Sequence, residues 1–226
     1  MQWDDIGFLL SKNRFNENSV IAEFYTKNHG KFTGLIFGAT SKKIKNFLQI
    51  GNKLQLNYNY KIEGKPGYFK IDILKINTPF FFDNKKKLLC INSAMNLIKL
   101  LTVESQENIK IFDAIDNFFI NLNDSQWIKK YIFWELKIID LVGYNIDFDK
   151  YINYEIVGNS KRYFLKSKNI KLYVPNFIID KNTEKIDNKN YLSGLNLIGE
   201  YINKNILKPN NILYPSSRSE FTNLFK

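Results

Sequence analysis

Reactive side chains are scarce in this chain, and basic ones are plentiful. Histidine occurs once, as His29, and cysteine once, as Cys90. His29 falls in Thr26-Lys27-Asn28-His29-Gly30, a turn by its residues. A lone imidazole there reads as a solvated turn residue rather than a general base or metal ligand. Cys90 has no second histidine to pair with and precedes a helical pattern, as a small core residue would. One cysteine excludes an internal disulfide and any cysteine-rich zinc site. Carboxylates recur as Asp113/Asp116 and Asp147/Asp149. Spacings of three on a helix or two on a loop are common on solvated faces and do not by themselves imply a metal. No GxxxxGK[ST] loop is present, which excludes P-loop ATP binding. Gly34-x-x-x-Gly38 lies in a strand pattern, where glycine marks sheet curvature rather than a phosphate cradle. The expectation is a chain that is not an enzyme and that uses no metal or cofactor.

What the residues do offer is electrostatic attraction. The net charge is +11, carried by 30 Lys and 3 Arg against 22 Asp and Glu. Such a surplus favours a polyanionic partner. The same Lys-, Asn- and Ile-heavy composition also reads as drift across a whole genome, so placement carries more weight than the total. Residues 1–78 hold 12 Lys/Arg against 6 Asp/Glu, while the rest hold 21 against 16. Within the first part the basic residues cluster at element ends: Lys12 and Arg14 after a first strand, Lys42, Lys43 and Lys45 after a third. Ser41-Lys42-Lys43-Ile44-Lys45 reads either as a rim that neutralises phosphates without sequence preference or as a merely solvated lysine loop.

The elements that must position these groups are strands first and helices later. Ile6–Leu10, Val20–Tyr25 and Phe32–Phe37 are short apolar runs, the last two joined by the His29 turn. Leu54–Tyr60 alternates with period two and pairs naturally with Tyr68–Leu74 across Glu63-Gly64-Lys65-Pro66-Gly67. Five short strands with one longer link after the third predict a small closed barrel of the OB type over residues 1–78. In such a barrel the face of strands two and three, with the adjoining loops, forms the nucleic-acid groove. Phe24, Tyr25, Phe32 and Phe37 lie on those strands; alternation turns about half of them outward, where a ring can stack on a base.

After Pro79 the apolar period becomes helical. Helices are expected over Asn92–Val103 with Ser93 as N-cap, over Ile109–Leu122, and over Ser125–Val142 with Gly143 just past its end. Residues 145–190 read as an irregular insertion with short strands near Tyr163-Phe164-Leu165 and Lys171–Val174. A last helix from Tyr191 to Asn205 stops before Pro209. The fold class is therefore α+β: an OB-type barrel, residues 1–78, then a helical domain, residues 79–226. No stretch reaches 18 uncharged apolar residues, and Met1-Gln2-Trp3-Asp4-Asp5 is acidic where a signal peptide needs cations. A cytoplasmic protein with no membrane partner is expected.

Taken in order, these motifs resemble a known family. Trp3-x-x-x-Gly7, Glu17–Glu23, Thr26–Lys31, Gly34-Leu35 and Gly38–Ser41 are similar to the N-terminal barrel of the bacterial DNA repair family RecO. Leu48-Gln49-x-Gly51-x-x-Leu54 resembles that family's approach to its fourth strand. Trp134-Glu135-Leu136-Lys137 followed by Leu141-Val142-Gly143-Tyr144 resembles its aromatic-Glu-Leu helix, and Ser193-Gly194-Leu195 with the Pro215–Phe225 tail and Arg218 its C-terminal helices. The resemblance implies a recombination mediator that binds single- and double-stranded DNA, anneals strands and partners RecR. It also implies a contact with the C-terminal tail of the single-stranded-DNA-binding protein SSB, through the helical domain, and indirect help to RecA in replacing SSB. By position it puts Lys12, Arg14, Lys31, Lys42, Lys43 and Lys45 on the family's basic, DNA-binding barrel surface.

One departure stands out. Many relatives carry a four-cysteine zinc site after the helix ending in Leu-Gly, whereas Asp149 to Val174 here has Tyr151, Asn153 and Lys168 and no cysteine. A tetrahedral thiolate cage cannot form. Packing by Tyr151, Tyr154, Tyr163, Phe164 and Tyr173 must hold the segment, or it is loose. Without the resemblance, two other readings stay open: an OB-fold RNA-binding module, and a protein-binding adaptor whose basic charge is compositional.

Overall fold

The structure, a computed structural model, describes residues 2–60, 66–146, 148–158, 160–167, 170–183 and 185–226. Asp147, Lys168 and the first three residues of the turn expected at Glu63–Gly67 lie outside the described residues. The chain forms two compact units, Met1–Phe119 and Ile120–Lys226.

The first unit opens with β1 (Gln2–Arg14), β2 (Ser19–Thr26), β3 (Gly30–Phe37), a short helix α1 (Lys42–Phe47), β4 (Lys53–Asn59) and β5 (Tyr68–Lys75). The strands close in the order β1-β2-β3-β5-β4, an OB barrel. The β3–β5 pairing, Leu35 to Tyr68, is parallel, and the other described barrel ladders are antiparallel. The first half of β1 pairs with β4 and the second with β2, with a register shift between Leu9 and Ser11 where the strand bends from one partner to the other. Because β1 runs on as far as its partner β2 does, Lys12 and Arg14 lie inside it, opposite Ala22 and Val20, rather than after it. Leu9, Ala22, Phe24, Ile36, Leu54, Leu56 and Phe69 fill the barrel, with Phe47 and Leu48 closing one end. Gly34 is needed for that closure: a Cβ there would come within 2.7 Å of the Phe69 ring.

After a 3-10 turn, Thr78–Phe81, come α2 (Lys85–Leu101) and α3 (Ile109–Asn121). Helix α2 starts earlier than its apolar stripe suggests. Asn84, not Ser93, is the N-cap, accepting from the Lys87 N–H at 3.0 Å, and the three lysines of the first turn hide the start of the period. Ser93 and Cys90 are buried inside the helix. Helix α3 follows the expected span within one residue.

The second unit contains α4 (Trp127–Leu141), α5 (Phe148–Tyr151), strands β6 (Ile152–Val157), β7 (Ser160–Ser167) and β8 (Ile170–Val174), then α6 (Asn176–Ile179), α7 (Asn188–Ile202) and α8 (Ser216–Asn223). Gly143 follows α4 with φ +88°, as a C′ glycine does. The insertion is more regular than its composition suggests: β6, β7 and β8 form an antiparallel sheet in that order. Phe164 is its buried ring, while Tyr151, Tyr154 and Tyr173 are exposed. A cation lies over each of these four rings, Arg162 at 3.8 Å over Tyr173, Lys171 at 4.6 Å over Phe164, Lys161 at 4.7 Å over Tyr154 and Lys150 at 5.2 Å over Tyr151. Pro209 does not end the last expected helix abruptly; α7 passes through a π-helical turn, Asn203–Leu207, into a 3-10 turn that contains the proline.

The second unit is pinned by one buried ion pair. Arg218 of α8 places Nε 2.7 Å from Oε1 of Glu135 on α4, and Nη2 donates to Oε2 at 2.8 Å. Nη2 also donates to the Leu195 carbonyl of α7 at 2.7 Å, and Nη1 to Thr222 Oγ1 at 2.6 Å. One guanidinium thus ties three helices together. Burial pulls the pKa of this cation down, but Glu135, with Tyr214 and Tyr131, more than reverses it, so the net shift is upward.

Candidate nucleic-acid interface

The lysine-rich stretch after β3 is a helix, not a loop, because its apolar residues recur at helical spacing. Ile44, Phe47 and Leu48 turn toward the barrel core, and Ser41 Oγ accepts from the Ile44 N–H at 3.4 Å. Lys42, Lys43 and Lys45 are consequently left on the outer face, all exposed.

The β1–β2 turn is tied to the start of this helix. Ala39 N–H donates to the Asn18 carbonyl at 3.1 Å, and Thr40 Oγ1 to Asn18 Oδ1 at 2.7 Å. Arg14, at the end of β1, is exposed and donates from Nε to the Asn16 carbonyl at 3.3 Å. Lys12 is half-buried and donates to the Leu48 carbonyl just beyond α1. Burial, reinforced by the Lys45 ammonium nearby, pushes its pKa below the ordinary lysine value. Five of the six expected basic residues therefore gather at the α1 end of the barrel. Among the described residues none of the five is in an ion pair.

Lys31 stands apart, at the far end of β3 and about 20 Å along the strand from Phe37. Its ammonium donates to the carbonyls of Lys99 (2.8 Å) and Thr102 (2.6 Å), the open end of α2, where a cation meets the negative pole of the helix. Burial lowers its pKa, partly offset by Glu23 and Glu104.

Around Lys31 the outer face of β2 and β3 is covered. Glu23 pairs with Lys99 at 2.6 Å, and Thr33 donates to Glu104 at 3.0 Å. Tyr25 is fully buried, its hydroxyl donating to the Asn108 carbonyl at 3.3 Å, and burial pushes the phenol up to about 12. The expected groove is thus half occupied by the chain itself. The open half lies at the α1 end, where the outward positions are Ile21, Leu35 and Phe37, with Tyr68 and Lys70 on β5.

Of the four aromatics expected on these strands, Phe24 is in the core and Phe32 is half-buried against Trp3, while Phe37 is the outward one, 57% exposed. Phe37 leans on Tyr68, ring centroids 5.9 Å apart. Phe15, in the β1–β2 turn, is 54% exposed. Phe15 and Tyr68 are not among the four aromatics expected at the groove, although a lone phenylalanine among Arg14, Asn16, Glu17 and Asn18 is a signal in itself.

Two of the other candidate groups, His29 and Asp116, have structural partners. His29 is not a solvated turn residue: Nδ1 lies 2.8 Å from Oδ2 of buried Asp5, and the ring stacks on Trp3 at 4.1 Å. Asp5 also accepts from the backbone and side chain of Asn28, so one carboxylate orders the whole turn. Asp116 pairs with Lys53 at 2.9 Å. Among the described residues no group of three or more His, Cys, Asp or Glu is placed to hold a metal. No helix among them is long and apolar enough to cross a membrane.

Comparison with known families matches both halves of the chain in order. Residues 1–75 match Recombination protein O N terminal, and residues 84–209 match Recombination protein O C terminal. The chain belongs to the RecO family. It is 34% identical over 150 residues to the DNA repair protein RecO of Rickettsia canadensis (strain McKiel), covering 66% of this chain and 62% of that one. The match to the protein of the same name from Rickettsia africae (strain ESF-5) has the same identity and length and covers 63% of it. The alignment thus spans under two thirds of these RecO relatives. The two matched segments fall on the barrel and on the helices that follow it.

Proposed function

We propose that this chain is a recombination mediator of DNA repair that acts in the bacterial cytoplasm. It binds single- and double-stranded DNA through the α1 end of its barrel and anneals complementary strands. With RecR, and through the C-terminal tail of SSB, it helps RecA onto SSB-coated DNA. One observation carries the reading: the RecO barrel half presents Arg14, Lys42, Lys43 and Lys45 at one end with no carboxylate partner among the described residues. Cations without internal partners are free to neutralise phosphates and release counterions, which gives affinity without sequence preference. Lys12 stands behind them, its ammonium on the Leu48 carbonyl. No chemistry on the polymer is required, because annealing needs only that two backbones be brought together with their repulsion screened.

The test is strand annealing of complementary oligonucleotides coated with SSB. Faster annealing in the presence of the chain is expected. Annealing indistinguishable from the SSB-coated strands alone would overturn the reading. Tighter binding to a matched single-stranded RNA than to the DNA would move the chain to an RNA-binding role.

A further inference from the structure

We propose that Phe15, Phe37 and Tyr68 form a stacking platform for unpaired bases, so that the α1 end of the barrel takes single-stranded polynucleotide in preference to duplex. The inference rests on the nucleic-acid reading above and adds what the lysines cannot supply, a means of telling one strand from two.

Phe37 closes β3 and Phe15 opens the turn after β1, yet both rings are more than half exposed, at 57% and 54%. They belong to one surface: Ser19 sits opposite Phe37 in the β2–β3 ladder, and its carbonyl accepts from the Phe15 N–H at 3.0 Å. Tyr68 meets Phe37 from β5 at 5.9 Å with the planes tilted by 55°, which holds the Phe37 ring without covering it. Nothing in the barrel core needs these rings, since Phe24, Ile36, Phe47 and Phe69 already fill it.

Their surroundings select the occupant. Arg14 precedes Phe15, Lys42, Lys43 and Lys45 follow Phe37 on α1, and Lys70 is the next outward residue after Tyr68 on β5. Glu17 is the one carboxylate in the β1–β2 turn. An apolar ring ringed by cations suits a ligand that is itself planar and apolar in part and anionic in part. Unpaired nucleotides have that composition: the base offers a π-face to the phenylalanine and the phosphate reaches the ammonium groups. In a duplex the base faces are already stacked on one another, so the cations can still act and the rings cannot.

The experiment is fluorescence anisotropy with labelled oligo-dT and a duplex of equal length, on the full chain at fixed salt. Exposed stacking contacts should each contribute about 5- to 10-fold, the lower part of the range for one base on one aromatic ring. Phe37→Ala is expected to weaken oligo-dT by that factor and the duplex by less than about 2-fold, and Phe15→Ala/Phe37→Ala to weaken oligo-dT further. The salt slope should not move, because every cation remains. Phe37→Trp should restore affinity, and its fluorescence should be quenched on adding oligo-dT. Equal losses on both polymers, no loss on either, or binding without quenching would overturn the platform. A failure of the nucleic-acid reading looks different: wild type would then bind neither polymer with a salt-dependent affinity.

Discussion

Replacing Lys42, Lys43 and Lys45 together with Ala removes three cations from the outer face of α1. All three are exposed on α1, and among the described residues none is in an ion pair. The substitution should therefore leave the core contacts of Ile44, Phe47 and Leu48 in place, and alanine is at least as good a helix former as lysine. Each phosphate neutralised on a single strand contributes about 0.7 to the slope of log affinity against log salt. Three lost contacts flatten that slope by about 2, so between about 50 and 200 mM salt the variant should lose about 15- to 20-fold less affinity than wild type does. Oligo-dT titrations at four or five salt concentrations measure this directly. Lys31→Ala is the matched control. Its ammonium is held by the carbonyls of Lys99 and Thr102, so the change should lower stability and leave the slope alone. A triple variant with the wild-type slope would refute the assignment of the α1 end, and so would a Lys31→Ala slope change as large as that of the triple variant.

Three further outcomes test the framework. Arg218→Met leaves the Glu135 carboxylate buried and alone, and should cost about 3–5 kcal/mol in urea denaturation, whereas adding Glu135→Met should recover much of it. Gly30→Ala forces a side chain onto φ +73° and puts its Cβ 2.1 Å from the Gln106 carbonyl oxygen. The left-handed backbone alone costs about 1–2 kcal/mol, so a variant as stable as wild type would disprove the close approach of that turn to the chain before α3. Tyr25 ionises at about 12 in the folded chain because it is buried, against an ordinary value near 10. A raised folded value means stability is complete below about pH 10 and falls as pH climbs toward 12, by up to 2–3 kcal/mol on the order-of-magnitude scale of one proton. Tyr25→Phe should flatten the alkaline loss in a pH series of melting curves while leaving the neutral value within about 1.5 kcal/mol.

The barrel was legible because strand alternation is local. Leu54, Leu56 and Tyr58 face the core, and the polar residues between them do not, so the period in the sequence is the period of burial. The helices were legible for the same reason, with their starts blurred where Lys85, Lys86 and Lys87 interrupt the stripe. Strand β6 was missed because its outward positions carry Tyr154 and Ile156, exposed rings and branches that erase the contrast between faces.

Which basic residues remain available was not legible. Lys12, Arg14, Lys31, Lys42, Lys43 and Lys45 look alike along the chain, and their separation depends on contacts made far away in sequence. Lys31 meets carbonyls some 70 residues on, at the end of α2. That same helix end and the residues after it cover half of the β2–β3 face, burying Tyr25 that alternation alone would have left outside. The sequence by itself determined a basic OB barrel with a helical partner unit and no reactive centre in view, since charge, period and residue type are properties of neighbours. Only the tertiary structure decided which cations and rings of that barrel stay exposed, because a surface is defined by what the rest of the chain leaves uncovered.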